Sequence, residues 1–297
     1  MEFIQRLSSI ADTDLTVNQP MSVYTGYGVG GNAKAFVKAY TVQALKDVIE
    51  VARVHGEKYK ILGNGTNVLV SDKGYDGVII TIKGLNSIFR CDDSVTALAG
   101  ASLCKVIKFA CQNHLYGGQP LSGIPASVGG ATVMNAGAFG VCMADFVKSV
   151  TTLKNGTFFR YDNKSCEFGY RTSRFLLGKE PIISVNFKFY TDPKYKEYDL
   201  LTDCSRQRKL HQPEGRSCGC VFKNPTGDYA GRLIDTAGLK GLSVGGARVS
   251  HKHGNFILAD KNATASDVFN LVNQIKSQVY NKFGVMLKEE IEFLGEF

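Results

Sequence analysis

Leu62-Gly63-Asn64-Gly65-Thr66-Asn67-Val68-Leu69-Val70-Ser71-Asp72 sets a glycine-rich pentapeptide after one apolar run and before another. Tyr59 to Leu62 reads as a buried strand, and Gly77 to Ile82 as a second one beyond the loop. Gly63 and Gly65 let the backbone turn sharply and aim several N–H groups at one spot. Asn64, Thr66 and Asn67 add short polar side chains. A second segment has the same character: Gly123-Ile124-Pro125-Ala126-Ser127-Val128-Gly129-Gly130-Ala131-Thr132-Val133-Met134-Asn135-Ala136-Gly137-Ala138. From Phe109 to Ala144 there is no Lys, Arg, Asp or Glu, so a pyrophosphate held there would meet neutral backbone donors. A P-loop is excluded, because no Gly-Lys-Ser/Thr follows the glycines. Either segment alone also reads as a tight loop in a packed core. Together, flanked by strands, they point to a dinucleotide.

Gly26-Tyr27-Gly28-Val29-Gly30-Gly31 is a formal G-x-G-x-x-G. A Rossmann fingerprint needs a strand before it and a helix after it. Here a polar stretch precedes, and Ala33 to Ala39 reads as a strand. Elsewhere Thr41 to His55 reads as a helix, with the apolar stripe Val42, Leu45, Val48, Ile49, Ala52. Ala101 to Tyr116 reads as another, stopped by Gly117 and Gly118. Strands are expected at Ser149 to Leu153, Thr157 to Tyr161 and Ile182 to Tyr190. The charged, proline-containing stretch Asp192 to Asp199 is the best boundary, followed by helices at Leu200 to Leu210 and Ser266 to Phe283. Strands and helices without strict alternation predict an α+β fold.

The 297 residues suffice for two domains, or three small ones. Thirty-two glycines against seven prolines fit ligand-hugging loops better than a disordered linker. Met1 to Asn18 lacks an apolar leader, and no uncharged apolar run reaches the roughly 20 residues of a membrane helix. The eight cysteines contain no C-x-x-C and read as reduced thiols, so a cytoplasmic protein without membrane insertion is expected. The net charge of +8 fits either solvated lysines or an anionic small molecule. Nucleic acid is not expected. Arg206, Arg208 and Lys209 are the one tight basic cluster, and no finger or helix-turn-helix pattern accompanies them.

Six segments in order resemble the UDP-N-acetylenolpyruvoylglucosamine reductase family. They are Val29-Gly30-Gly31, Leu62 through Asp72, Gly123-Ile124-Pro125 through Asn135-Ala136-Gly137-Ala138, Tyr170-Arg171-Thr172-Ser173-Arg174-Phe175, Gly219-Cys220-Val221-Phe222-Lys223-Asn224-Pro225, and Leu287-Lys288-Glu289-Glu290-Ile291. The resemblance implies a two-part FAD-binding unit of the vanillyl-alcohol oxidase type and a C-terminal α+β substrate domain, divided at 1–82, 83–198 and 199–297. It implies non-covalent FAD, NADPH as hydride donor and a UDP-sugar substrate reduced to UDP-N-acetylmuramate in peptidoglycan precursor synthesis. The cofactor contacts it implies are Gly63, Asn64, Gly65, Thr66, Asn67, Gly123, Ile124, Pro125, Ser127, Gly129, Gly130, Asn135, Ala136 and Gly137. No metal is implied. The chain departs from the family pattern where Cys220 stands for the usual serine and Tyr27-Gly28 for the usual Phe-Arg. Gln119, Ala126 and Arg248 replace the common glutamate, glycine and glutamine.

In the implied chemistry, a hydride reaches the vinyl carbon, charge grows beside the substrate carboxylate, and a proton must arrive. Arg171, whose charge is fixed, is the stabiliser implied for that charge. Glu290 would share in this if protonated, with Glu289 an open alternative. Cys220 is the implied proton donor; an ordinary thiol with pKa about 8.5 carries its proton at neutral pH. Tyr170, Lys223, Asn224 and Arg248 are expected on the substrate, with Gly245, Gly246, Ser250 and His253 on its phosphate side. The bland readings are a surface ion pair for Arg171, an edge acid for Glu290, a buried structural thiol for Cys220 and a loop histidine for His253. Two other functions compete: a sugar or alcohol oxidase of the same flavin fold and, from another class, a flavin- or nucleotide-binding regulatory module without turnover.

Overall fold

Thr41 caps the helix Val42–Val54 by accepting from Ala44 N at 3.1 Å, and Gly56, at φ +66°, turns the chain away after it. The stripe Ala44, Leu45, Val48 and Ala52 is buried. These and the features below come from a computed structural model that describes residues 2–178, 180–191 and 198–297. Most of the expected stretch Asp192 to Asp199 lies outside the described residues.

The chain divides into two compact units, each assembled from three stretches. The first comprises Met1–Thr16, Ala35–Asn64 and Gly77–Gln207. In it Tyr59–Leu62 pairs in parallel with the strand Tyr75–Thr81, Ile61 opposite Ile80. A five-stranded sheet of this unit is antiparallel throughout. Its order is Thr157–Asp162, Val147–Lys154, Ile182–Lys188, Ser94–Leu98, Ile88–Cys91. Val95, Ala97, Val150, Val185 and Phe187 alternate inward along these strands and join Val106, Ile107 and Val128 in one core.

The helix expected over Ala101 to Tyr116 is shorter, Leu103–Gln112. Ser102 is extended and bridges Ser127, while Ala101 O accepts from Val128 N at 2.8 Å. At the other end Asn113 Nδ2 bonds Phe109 O at 2.8 Å, and His114 turns left-handed at φ +59°. The glycine segment itself holds a short helix, Val128–Val133, that its glycines hide from a propensity reading.

The second unit comprises Val17–Lys34, Gly65–Asp76 and Arg208–Phe297. The helix Ala265–Phe283 buries Val268, Leu271, Val272, Ile275 and Val279 and packs on the antiparallel strands Ser243–Val244, Ala247–Val249 and Ile257–Ala259. Its start is a capping box of Thr264 and Asp267, and Gly284 ends it at φ +68°. Glu292–Leu294 near the C-terminus pairs in parallel with Val68–Val70.

Candidate active site

In the first unit the two glycine segments touch. A Cβ on Gly63 would lie 2.3 Å from Ser127 Oγ, so only glycine fits. Asn64 Nδ2 donates to Pro125 O at 3.1 Å. Ser127 Oγ accepts from Gly130 N at 3.2 Å and caps the short helix. Gly129 N bonds Ala99 O at 2.8 Å, and a Cβ on Gly129 would stand 3.0 Å from that of Ala99. The segment is thereby fixed from both sides.

Asn135 connects this segment to the predicted arginine. It adopts φ +43° and is 5% exposed; its Nδ2 donates to Gly169 O at 2.9 Å and its Oδ1 accepts from Ala144 N at 3.0 Å. Gly169 and Thr172 close a tight turn with Tyr170 and Arg171 at its tip, and Ser173 Oγ ties the next residue to Val133 O at 2.7 Å. Arg171 sits at φ +54°, strain of order 1 kcal/mol for a residue with a Cβ. Its Nη2 donates to Gly137 O at 3.1 Å, and its guanidinium lies 5.2 Å from the Tyr170 ring centre. Arg171 is thus bound to the glycine segment.

In the second unit Cys220 and Glu290 lie on neighbouring extended stretches. Glu290 N donates to Val221 O at 2.8 Å, Lys223 N donates to Lys288 O at 2.9 Å, and Phe222 bridges Glu289. On its other side Cys220 bridges Phe256. The buried Asn255 clamps Phe222 by accepting from its N–H at 2.9 Å and donating to its carbonyl at 2.7 Å. Asn67 Nδ2 donates to Glu290 O at 3.0 Å, which brings the first glycine loop to the acid's backbone. Glu289 is held by Lys276 Nζ at 2.5 Å, so its carboxylate is already matched to a cation.

Cys218 is buried and donates to Val68 O at 3.4 Å; burial pushes its thiol up to about 12. It is a structural thiol, and no group of three metal-ligating side chains occurs among the described residues. Beside it lies Tyr27, 0% exposed, whose hydroxyl meets no hydrogen-bonding partner. Burial first, and then the thiols of Cys218 and Cys220, push this phenol well above its ordinary value.

Other predicted residues have local duties. Asn224 Oδ1 accepts from Ala230 N at 3.1 Å at the start of the helix Ala230–Thr236. Arg248 is exposed on the middle strand opposite Leu258. The Asp267 carboxylate takes the Gly246 N–H at 3.1 Å and would collide with a Cβ on Gly245, so this turn offers a phosphate little. His253 Nδ1 accepts from Asn255 N at 3.1 Å, its ring stacks edge-on against Phe256, and burial lowers its pKa: a satisfied loop histidine. The sequence reading quoted Tyr27 and Ser173 within motifs without giving either a role, and passed over Asn255. None carries a motif signal beyond its place in or beside one.

Residues 211–294 match the C-terminal domain of UDP-N-acetylenolpyruvoylglucosamine reductase, and 33–161 match an FAD-binding domain. The reductase of Clostridioides difficile is 39% identical across 99% of this chain and 98% of its own length. That of Caldanaerobacter subterraneus is 41% identical across 95% and 94%. The chain belongs to the UDP-N-acetylenolpyruvoylglucosamine reductase family. The solved reductase of Thermus caldophilus superposes with a TM-score of 0.81 at 36% identity, over 95% of this chain and 99% of that one. A berberine bridge enzyme variant shares the fold alone, with a TM-score of 0.50 at 12% identity over 63% of this chain and 43% of its own. As expected of a reductase of this family, the fold is α+β, with an FAD-binding part and a C-terminal domain. No helix among the described residues is long and apolar enough to cross a membrane.

Proposed function

We propose that this chain is an FAD-dependent oxidoreductase that uses NADPH to reduce the enolpyruvyl group of UDP-N-acetylglucosamine enolpyruvate, giving UDP-N-acetylmuramate for peptidoglycan. Membership of the reductase family along nearly the whole chain carries this reading. The residues also fit FAD. Among the described residues the N–H groups of Gly65 and Asn67 have no backbone acceptor, and a Cβ on Gly65 would strike Tyr24 O at 1.8 Å. With no carboxylate between Phe109 and Ala144, nothing on that segment repels a diphosphate.

Bound FAD supplies the hydride chemistry, and the protein supplies orientation, electrostatics and the proton. Gly63 to Asn67, Gly123 to Pro125, Ser127, Gly129, Gly130 and Asn135 to Gly137 are assigned to hold the dinucleotide. Arg171 is assigned to the substrate carboxylate, where its fixed charge offsets the negative charge that grows during reduction. Glu290 is assigned to the same group, to which it would donate a hydrogen bond when protonated. Cys220 gives its proton to the carbon beside the carboxylate and is left as a thiolate that solvent reprotonates. Tyr170, Lys223, Asn224 and Arg248 are assigned to the sugar nucleotide. The three-part division at 1–82, 83–198 and 199–297 belongs to the same proposal.

The experiment is anaerobic. NADPH is added to the yellow, FAD-loaded protein, and the enolpyruvyl nucleotide sugar follows. Bleaching by NADPH and return of the flavin absorbance on adding the sugar is the expected result. Colour that returns only on admitting air would make the protein an oxidase.

A further inference from the structure

Residues 250–256 form a loop of the second unit that is closed by its own hydrogen bonds. Ser250 N donates to Phe256 O at 2.9 Å, and Phe256 N donates to His253 O at 3.0 Å. Ser250 Oγ accepts from the N–H groups of Lys252 at 3.0 Å and His253 at 3.3 Å. His253 Nδ1 accepts from Asn255 N at 3.1 Å, and its ring centre lies 4.9 Å from that of Phe256. A Cβ on Gly254 would lie 2.7 Å from Gly231 O, so the loop is pressed against the helix Ala230–Thr236. Ser250 and Asn255 are 2% and 3% exposed.

The last two residues of this loop meet the stretch that carries Cys220. Phe256 bridges Cys220 itself. Asn255 O accepts from Val221 N at 2.9 Å. The Asn255 side chain then takes both backbone groups of Phe222: Oδ1 accepts from its N–H at 2.9 Å, and Nδ2 donates to its carbonyl at 2.7 Å. A carboxamide offers the donor and acceptor of a peptide group, so this side chain continues the pairing that Phe256 begins. Across the stretch, Val221 O accepts from Glu290 N at 2.8 Å and Lys223 N donates to Lys288 O at 2.9 Å. The backbone from Cys220 to Phe222 is therefore fixed from two sides, by the loop and by the strand of the acid.

We propose that Asn255 is a positioning residue for Cys220. The loop closes on itself and presents Asn255 to Val221 and Phe222, and those bonds set where the thiol stands. A cysteine side chain turns about one bond only, so its sulfur follows its backbone. A proton donor must come within hydrogen-bonding reach of the atom it serves, and a small displacement there costs rate steeply. Asn255 takes no part in the transfer: the proton is the thiol's, and solvent restores it. The inference rests on Cys220 as proton donor.

The test uses the FAD-loaded enzyme and Asn255→Asp, alone and combined with Cys220→Ala. The aspartate has the shape of asparagine and keeps an acceptor for Phe222 N, but its carboxylate has no N–H for Phe222 O. Tm should fall by about 2 °C or more in both backgrounds, because a buried bond is lost. Bleaching by NADPH should keep its rate. The return of colour at saturating sugar should slow about tenfold or more, with the half-saturating sugar concentration unchanged. In the Cys220→Ala background the same substitution should slow neither half-reaction further. Ser250→Ala, which loosens the far end of the loop and leaves Asn255 in place, should slow the sugar step several-fold. A lowered Tm with a parental sugar step in either loop variant, or an equal slowing in the Cys220→Ala background, would overturn the inference. If Cys220→Ala alone keeps the parental sugar step, the donor assignment falls and this inference with it. A slow Cys220→Ala beside a parental Asn255→Asp removes only the role of Asn255.

Discussion

Arg171 illustrates how much a single residue owes to its neighbours. Its backbone is left-handed at φ +54°, and one arm of its guanidinium holds Gly137 O at 3.1 Å. Asn135 anchors the turn it stands on by bonding Gly169 O. A lysine keeps the charge but loses the planar fork that bonds the carbonyl and still faces a carboxylate. Arg171→Lys should therefore slow the sugar-dependent return of flavin colour about a hundredfold or more while NADPH still bleaches the protein. Stopped-flow absorbance of the two half-reactions checks this. The pair Glu289 and Glu290 separates at the same scale. Glu290→Gln should slow that half-reaction, again by about a hundredfold. Glu289→Gln removes the partner of Lys276 and should lower Tm while the flavin kinetics stay near those of the parent. Gly63→Ala would place a methyl 2.3 Å from Ser127 Oγ. We expect that variant to purify with less FAD, read from its ratio of visible to ultraviolet absorbance.

At the scale of elements, legibility followed the length and periodicity of each segment. Val42–Val54 was read from an apolar stripe, a capping threonine and a terminal glycine, and Ala265–Phe283 from its apolar stripe alone. The helix read over Ala101 to Tyr116 was too long because Ala101 and Ser102 are committed to Val128 and Ser127, a pairing that no local pattern announces. The parallel pair Val68–Val70 with Glu292–Leu294 was not legible either: three-residue strands carry no period, and their partners lie at opposite ends of the chain. The start of the long helix yields a pH prediction. Burial pushes the Asp267 carboxyl upward, but the N–H groups of Thr264 and Gly246 and the Thr264 hydroxyl outweigh it, and the net shift is downward. A depressed native pKa stabilises the fold above the unfolded carboxyl range and is lost as pH falls through the native value. Asp267→Asn should therefore lower Tm near neutral pH, and the gap to the parent should close as the solution is acidified below about pH 4. Thr264→Ala should cost about 1 kcal/mol in denaturant unfolding.

For the whole molecule, the two glycine segments, Gly63 to Asn67 and Gly123 to Ala138, stood out from the residues themselves, because a bound dinucleotide needs bare backbone, while Arg171, Cys220 and Glu290 were singled out by the family resemblance and belong to the proposal. The assembly of each unit from three stretches was not readable, since it depends on long-range pairings. Nor was the orphan hydroxyl of Tyr27, which only packing reveals. Arg171 and the longer glycine segment lie in the first unit, Cys220 and Glu290 in the second. The central claim is that Cys220 supplies the proton of the second half-reaction, and the direct measurement is the pair of half-reaction rates in Cys220→Ala. Bleaching by NADPH should proceed as in the parent, while the sugar-dependent return of colour slows by about a hundredfold or more. Cys220→Ser should recover much of that rate. A Cys220→Ala enzyme that regains its colour at the parental rate would contradict the account.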